Sequence, residues 1–387
     1  MKQAYKGLSF FAIYLFFWLA ESCLSPYLGI YYESCGLSAA QIGVVNTVFS
    51  LAVIVAALAI GVLGDKLGKP KKLLVILLIG MIAGTFFLFR SKTYMMILLA
   101  VIVYGSSYAP VNGIVDKLLM DQIKEKPQLF GKYRSGGTIG AGIGVIISGA
   151  LIIKYNYSYL FIAFWIASAV CIIFSGTLHK SLGNIKMEST KWSDYQAVIR
   201  HKKFLPIYTT MIIWGFTEVG VSQFQALHIV NCGFDSYYTS LFVALAMVGE
   251  CICFAILPHM EKSIPMKQLI AIAFMIQFFR IGSLSVLDKI PVLVVAFFQF
   301  TGGAAYAIVY SIITQLISSI FPEKVSYSAH TLKLVVNRGI GMTCGSLMLG
   351  YIFEYGSSKI AYAILAFVAI GFSAWVMFWR KSQGTIH

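Results

Sequence analysis

The charged side chains that fall inside long apolar runs are where chemistry must be sought in this chain. Glu21, Glu218, Glu250, Arg280 and Arg338 lie near the middle of such runs, and Asp116, Arg134 and Lys333 lie nearer their ends. A charge at mid-bilayer costs several kcal/mol unless it is paired or wet, so each is a candidate for function. Polar neighbours extend them into stripes. Ser25 goes with Glu21; Ser222 and Gln225 with Glu218; Asn112 and Tyr108 with Asp116; Gln277 with Arg280; Asn337 with Lys333. Gln299, Tyr306 and Tyr310 mark one face of a further run more weakly. Spacings of three, four and seven residues put each set on one helix face. Such faces suit a wet cavity, and their chemistry is ion pairing, proton uptake and hydrogen bonding to a small solute.

Counting the charges names a proton carrier. Three mid-depth acids (Glu21, Glu218, Glu250) face two mid-depth bases (Arg280, Arg338), so one carboxylate is left over. An unpaired carboxylate in an apolar medium takes up a proton rather than stay charged. Pairing Glu250 with Arg280 leaves Glu21 and Glu218 to share Arg338. Glu218 is then the expected carrier, because Ser222 and Gln225 continue its face and offer a water path. A permanently protonated Glu218 bonded to a neighbouring helix is the competing reading. Asp116 adjoins Lys117, so an interfacial pair fits it as well as solute contact does. Lys333 fits either a cavity or a long side chain reaching the membrane boundary. Arg338 could tie helices together through backbone carbonyls. Tyr27, Tyr31 and Tyr32 read as an aromatic belt, His228 and His330 as peripheral, and Pro26 and Pro110 as kinks.

The elements that must position these groups are membrane helices. Hydrophobic residues make up 59% of the chain and charged residues only 12%, with a mean hydropathy of +0.81. These values lie far outside soluble usage. Apolar stretches near the length needed to cross a bilayer fall at 8–32, 39–63, 73–90, 94–119, 134–153, 158–178, 204–229, 237–257, 268–286, 291–315, 328–352 and 360–379. The net charge of +15 is no nucleic-acid signal, because the basic residues gather at one set of helix ends. Lys66, Lys69, Lys71, Lys72, Lys124, Lys126, Lys132, Lys180, Lys186, Lys191 and Arg200 are among them. The opposite ends carry few, and this bias puts both termini in the cytoplasm. Lys2 and Lys6 precede an apolar run, as in a signal peptide. However, Glu21 interrupts the run and no small-residue cleavage site ends it, so a retained first helix is expected. Seven cysteines show no ligand spacing and read as packing residues. No cofactor or metal is expected, and no His-Glu-x-x-His or Gly-x-Ser-x-Gly motif points to an enzyme.

The polar stretch Lys180 to Lys203 divides the chain, and Trp192, Tyr195 and Val198 give it amphipathic character suited to lying along the membrane surface. The halves on either side repeat. A shift of 197 residues carries Glu21, Ser25, Cys35 and Gly36 onto Glu218, Ser222, Cys232 and Gly233, and a shift of 201 carries Gly140, Gly144 and Gly149 onto Gly341, Gly345 and Gly350. The glycine rows predict close helix packing in the fifth and eleventh spans.

Between the second and third spans runs Gly61-Val-Leu-Gly64-Asp65-Lys66-Leu-Gly68-Lys69-Pro70-Lys71-Lys72. It is too short from Gly64 to Gly68 for a phosphate-binding loop. It resembles the signature loop of the major facilitator superfamily, and the resemblance extends over essentially the whole chain. Gly36-Leu37-Ser38, Gln41-Ile42-Gly43, Pro110 to Asp116 and Gly131 to Gly140 are further similar to the lactose-permease-like branch of proton-coupled sugar and nucleoside symporters. That resemblance implies that Asp116 and Arg134 contact substrate. It also implies that Glu250 and Arg280, on the eighth and ninth helices, serve substrate and proton coupling. This chain has no Trp after Arg134 on the fifth helix and no His/Glu pair on the tenth.

The expected architecture is an all-α integral membrane protein of twelve transmembrane helices, in two six-helix halves related by pseudo-two-fold symmetry. Residues 1–179 form one bundle, 180–203 a cytoplasmic loop and 204–387 the second bundle. The expected activity is proton-coupled uptake of a small hydroxylated solute, a sugar or nucleoside, by a monomer in a bacterial plasma membrane. The alternative is a proton-coupled exporter of drugs or metabolites. Expected substrate contacts are Asp116, Arg134, Asn112, Glu250, Arg280, Gln225 and Tyr306. Proton coupling falls to Glu218, Glu21 and Glu250. Gly61, Gly64, Asp65, Lys66, Gly68 and Lys69 form a conformational latch, in which Asp65 meets the N-terminal end of the eleventh helix or a base such as Lys117.

Overall fold

A computed structural model describes residues 2–67, 69–123, 129–178, 192–201, 204–321 and 323–378. Everything regular among them is helical. The first span is α1 (Lys2–Leu24), continued by α2 (Leu28–Ser34) after a tight turn at Ser25–Tyr27 that contains Pro26. Spans two to six are α3 (Ala39–Leu67), α4 (Pro70–Arg90), α5 (Tyr94–Gln122), α6 (Phe130–Lys154) and α7 (Tyr157–Thr177). The short amphipathic α8 (Trp192–Arg200) follows, with Tyr195 and Val198 buried. The seventh span is α9 (Leu205–Ser222) and α10 (Gln225–Asn231), then come α11 (Tyr237–Ser263), α12 (Met266–Ser285) and α13 (Val292–Ile320). The eleventh is built from α14 (Glu323–Leu334), a π-helical stretch at Val335–Met342 and α15 (Thr343–Tyr355), and α16 (Ser358–Phe378) is the twelfth. Ten of these spans qualify on length and apolarity alone. The other two are those divided between α9 and α10 and across the π-helical stretch.

The chain forms two compact units. One takes in the residues up to Leu37 and from Val45 through α7; the other takes in Ser38–Val44 and everything from α8 onward. Each contains the same broken helix, closed the same way. Gly36 and Gly233 both sit at φ +84°, a conformation that only glycine adopts without strain. The Leu37 amide donates to Tyr32 O, and the Phe234 amide to Ile229 O, both at 3.1 Å. This six-to-one bond over a left-handed glycine is a helix stop. Its two copies are related by the 197-residue shift.

The glycine rows do in the structure what their spacing predicts. In the first unit, Gly140 and Gly144 of α6 press on the backbone carbonyls of Leu15 and Leu19 in α1, so close that a Cβ at Gly144 would stand 2.5 Å from Leu19 O. In the second, Gly341 and Gly345 press on Ile212 and Phe216 of α9, and a Cβ at Gly345 would stand 2.7 Å from Phe216 O. The carbonyl partners are themselves related by 197 residues, and the glycines by 201. Gly249 of α11 and Gly303 of α13 meet the carbonyls of Phe300 and Ala246 in the same manner. Lipid cannot drive apolar helices together, so close backbone approach of this kind supplies the contact.

Two sequence expectations are corrected here. Tyr27, Tyr31 and Tyr32 do not form a surface belt: all three are buried, and the Tyr31 hydroxyl donates to Leu88 O at 3.2 Å. The Tyr31 ring packs on Phe161, with centroids 4.8 Å apart, and tilts against Tyr32. His228 is not peripheral but fully buried, with Nε2 donating to Leu284 O at 2.8 Å and its ring 4.1 Å from Tyr362.

Candidate functional site

The candidate residues fall into two sets, one in each unit. In the first unit they lie between α1 and α5. Tyr104, Tyr108, Asn112 and Asp116 recur every four residues and form one face of α5. Tyr14, Phe17 and Glu21 form the facing stripe of α1. The Tyr104 hydroxyl donates to Glu21 Oε1 at 2.9 Å, and Tyr108 stacks on Phe17 with centroids 5.8 Å apart. At the far end of the stripe Tyr14 donates to Asp116, which also takes Arg134 Nη1 of α6 at 2.7 Å. The Arg134 guanidinium lies 5.8 Å from the centroid of the Tyr14 ring. Asp116 and Arg134 are therefore paired with each other, each about one-third exposed (35% and 37%) and so within reach of a solute. Asn112 lies half-buried on the same face.

In the second unit Arg280 of α12 is the centre. Its Nη1 stands 3.3 Å from Glu218 Oε2 of α9, and its Nε donates to Gln299 Oε1 of α13 at 3.2 Å. Gln299 Nε2 donates back to Arg280 O at 3.2 Å. Gln277, one turn before Arg280, donates to Glu218 Oε2 at 2.9 Å, and Gln225 Nε2 lies 3.4 Å from Gln299 Oε1. This network needs Gly302, because a Cβ there would overlap the Arg280 side chain. Buried Gln225 and Gln277 each keep an amide oxygen with no hydrogen-bond donor among the described residues.

The pairing expected between Glu250 and Arg280 is not the one in this structure. α12 turns Arg280 toward α9, where Gln277 has already oriented the Glu218 carboxylate. Glu250 of α11, half-buried, makes no hydrogen bond or ion pair among the described residues. The leftover acid inferred from the charge count is thus Glu250 here rather than Glu218. The Ser222 hydroxyl donates back to Glu218 O at 3.0 Å and does not continue a polar path from the carboxylate. Tyr306 of α13 stands within electrostatic reach of Glu250, Glu218 and Arg338. Its ring stacks on Tyr310 with centroids 5.8 Å apart and lies 6.5 Å from Trp214. Asn337 donates to Met211 O at 3.0 Å and serves as a tie between helices.

The side chains of Gly61, Gly64, Asp65 and Lys66, and Gly68 altogether, lie outside the described residues. Of the signature loop, Lys69 is exposed and stands at the N-cap position of α4 without a side-chain capping bond. Tyr14 and Tyr104 were missed from sequence, although Tyr104 continues the four-residue rhythm of Asp116, Asn112 and Tyr108. Asn46, Thr47 and Ser50 of α3 were missed too. They are buried polar groups, clustered within five residues of an apolar helix, whose Nδ2, Oγ1 and Oγ have no partner among the described residues. No group of three or more potential metal ligands occurs among the described residues.

Residues 7–364 match the MFS_1 like family. The chain belongs to that family. The family is one of membrane transporters, which are not enzymes. It is 21% identical over 203 residues to the probable 3-phenylpropionic acid transporter of Escherichia coli (strain K12), a match covering 51% of this chain and 53% of the relative. The chain thus spans about half the length of the curated relative it matches. The MFS_1-like fold superposes on the nucleoside transporter NupG with a TM-score of 0.83 at 16% identity, covering 97% of this chain and 99% of that one. A POT family transporter in complex with a thioalcohol conjugated peptide gives 0.78 at 10% identity, covering 96% and 95%. At such identities the likeness is one of fold. It agrees with the twelve-helix facilitator architecture expected from the sequence.

Proposed function

We propose that this MFS_1-like chain couples the movement of protons to uptake of a small hydroxylated solute, in a bacterial plasma membrane with both termini cytoplasmic and as a monomer. The observation that carries the proton role is Glu250, an acid inside a membrane span with no ion pair beside a neighbouring acid that has one. A desolvated carboxylate without an ion pair takes up a proton more readily than one that holds a pair. When Arg280 leaves Glu218 for Glu250, Glu250 gives up its proton and Glu218, now without its counter-charge, takes one up; solute binding that draws on Arg280 would bias the exchange. Two buried amide oxygens without donors, on Gln225 and Gln277, support a solute that brings hydroxyl donors. NupG, similar in fold, is named a nucleoside transporter. In this reading Asp116, Arg134, Asn112, Glu250, Arg280, Gln225 and Tyr306 contact solute, Glu21 and Glu218 tune the proton step, and the Gly61–Lys69 loop acts as a latch. A second reading, an aromatic carboxylic acid as solute, takes support from the name of the Escherichia coli relative and from the Trp214, Tyr306 and Tyr310 rings.

Glu250→Gln mimics the protonated acid permanently. In proteoliposomes it is expected to exchange labelled solute across the membrane at near the normal rate, while proton-driven accumulation falls to the equilibrium level. If the variant still concentrates solute on a proton gradient, Glu250 is not the carrier.

A further inference from the structure

Lys333 is the last residue but one of α14, just before the π-helical stretch of the eleventh span. Its ammonium lies 3.2 Å from Thr314 Oγ1 and 4.7 Å from the centroid of the Tyr310 ring, both on α13. No acid lies within ion-pair distance of it among the described residues. The described acids of the same unit are otherwise engaged or stand without an ion pair elsewhere. Glu218 holds Arg280, Glu261 takes Gln315, Asp288 takes Lys359, Asp235 accepts the Tyr237 amide, Glu354 accepts the Ala40 amide, and Glu250 sits nearer Glu218 and Arg280. His330, one turn earlier on α14, faces the same side as Lys333 and adds no negative charge.

Tyr306, Tyr310 and Thr314 repeat every four residues on α13, with Tyr306 and Thr314 half-buried and Tyr310 exposed. Rings and cation thus form one wall: Trp214, Tyr306 stacked on Tyr310 at 18°, and Lys333 at its end. A lysine held over a ring can exchange part of that contact for an anion while keeping the ring face for an apolar body.

We propose that Lys333, with Thr314, is an anion subsite that receives the carboxylate of a small aromatic solute, whose ring lies on Tyr310 and Tyr306. The solute's carboxylate supplies the negative charge that no described residue brings within ion-pair distance of Lys333. The inference deepens the second of the two solute readings, an aromatic carboxylic acid, by naming what holds its charge, and it rests on that reading.

The test compares 3-phenylpropionate with its neutral isostere 3-phenylpropionamide, each titrated onto full-length protein in nanodiscs and read by thermal stabilisation and by quenching of tryptophan fluorescence. A charge-assisted bond predicts that the wild-type protein binds the acid about ten- to a hundredfold more tightly than the amide. Lys333→Gln should lose that preference while still binding the amide, and Lys333→Arg should keep most of it. Equal binding of acid and amide by the wild type, no binding of the acid, or a preference that survives Lys333→Gln would each overturn the subsite. Should Lys333→Gln fail to fold, the wild-type comparison and Lys333→Arg still decide. Proton-driven accumulation of a neutral nucleoside without any preference for acids would sink the subsite and leave the transport reading standing.

Discussion

Arg280→Ala is expected to reduce the yield of folded protein sharply, and Arg280→Ala combined with Glu218→Gln is expected to restore much of it. Arg280 is 6% exposed and its guanidinium is shared between Glu218 and Gln299. Removing it strands a carboxylate in the membrane and leaves Gln299 Oε1 with only the longer contact from Gln225. Breaking one partner of a buried pair costs about 3–5 kcal/mol. The effect here should fall in the lower part of that range, because the Glu218 side chain keeps 19% exposure. Neutralising Glu218 in the same protein removes the stranded charge, so the double variant should unfold at a higher temperature than Arg280→Ala alone. Glu250→Gln added to Arg280→Ala should not rescue in this way. Additive losses across the Arg280 and Glu218 cycle would remove the basis for the pair.

The second large effect concerns packing. Gly140→Ala puts a methyl group onto the Leu15 carbonyl, and the backbone of α1 cannot turn aside as a side chain would. Overpacking of this kind costs about 1–3 kcal/mol and occasionally more. The upper part of that range is expected, because the contact is backbone to backbone. Gly142→Ala, two residues on, meets nothing within 4 Å and serves as the control. Gly341→Ala should repeat the Gly140 result in the second unit, where the carbonyl is that of Ile212. Folded yield by fluorescence-detected size exclusion separates the three. Normal yield from both Gly140→Ala and Gly341→Ala would mean that these helix contacts are looser than their geometry.

How much of this is legible in the sequence depends on which physical rule each residue obeys. Spans follow from the length of apolar runs, and the expected and observed helices coincide within a few residues at most ends. The closing glycines were legible as repeats because Gly36 and Gly233 answer a local backbone demand. The choice of Glu218 over Glu250 by Arg280 was not legible. Both acids sit on the expected faces, and only the rotation of α12 against α9 and α11 decides between them. Gln277 held the clue, since it shares a face with Arg280 and grips the same carboxylate. Tyr31 and Tyr32 misled because an aromatic ring near a span end suits a membrane boundary and a bundle interior equally. Nothing in the sequence marked the π-helical stretch.

That stretch has a mechanical consequence. A π turn bonds residue i to i+5 and so holds more chain than an α turn of equal span. The eleventh span therefore carries a reserve of winding between α14 and α15. Passing one residue from the wide turns into the α ladder would rotate α14 about 100° around its own axis and shift it about 1.5 Å along it. No turn need melt for this to happen. Lys333 would leave the Tyr310 ring, while Gly345, beyond the stretch, would stay on its carbonyl at Phe216. The span would act as a crank, with one end fixed by packing and the other free to choose between two angular settings. Paired spin labels at positions 330 and 310 would report those settings as two distances, and a single distance under all conditions would rule the crank out.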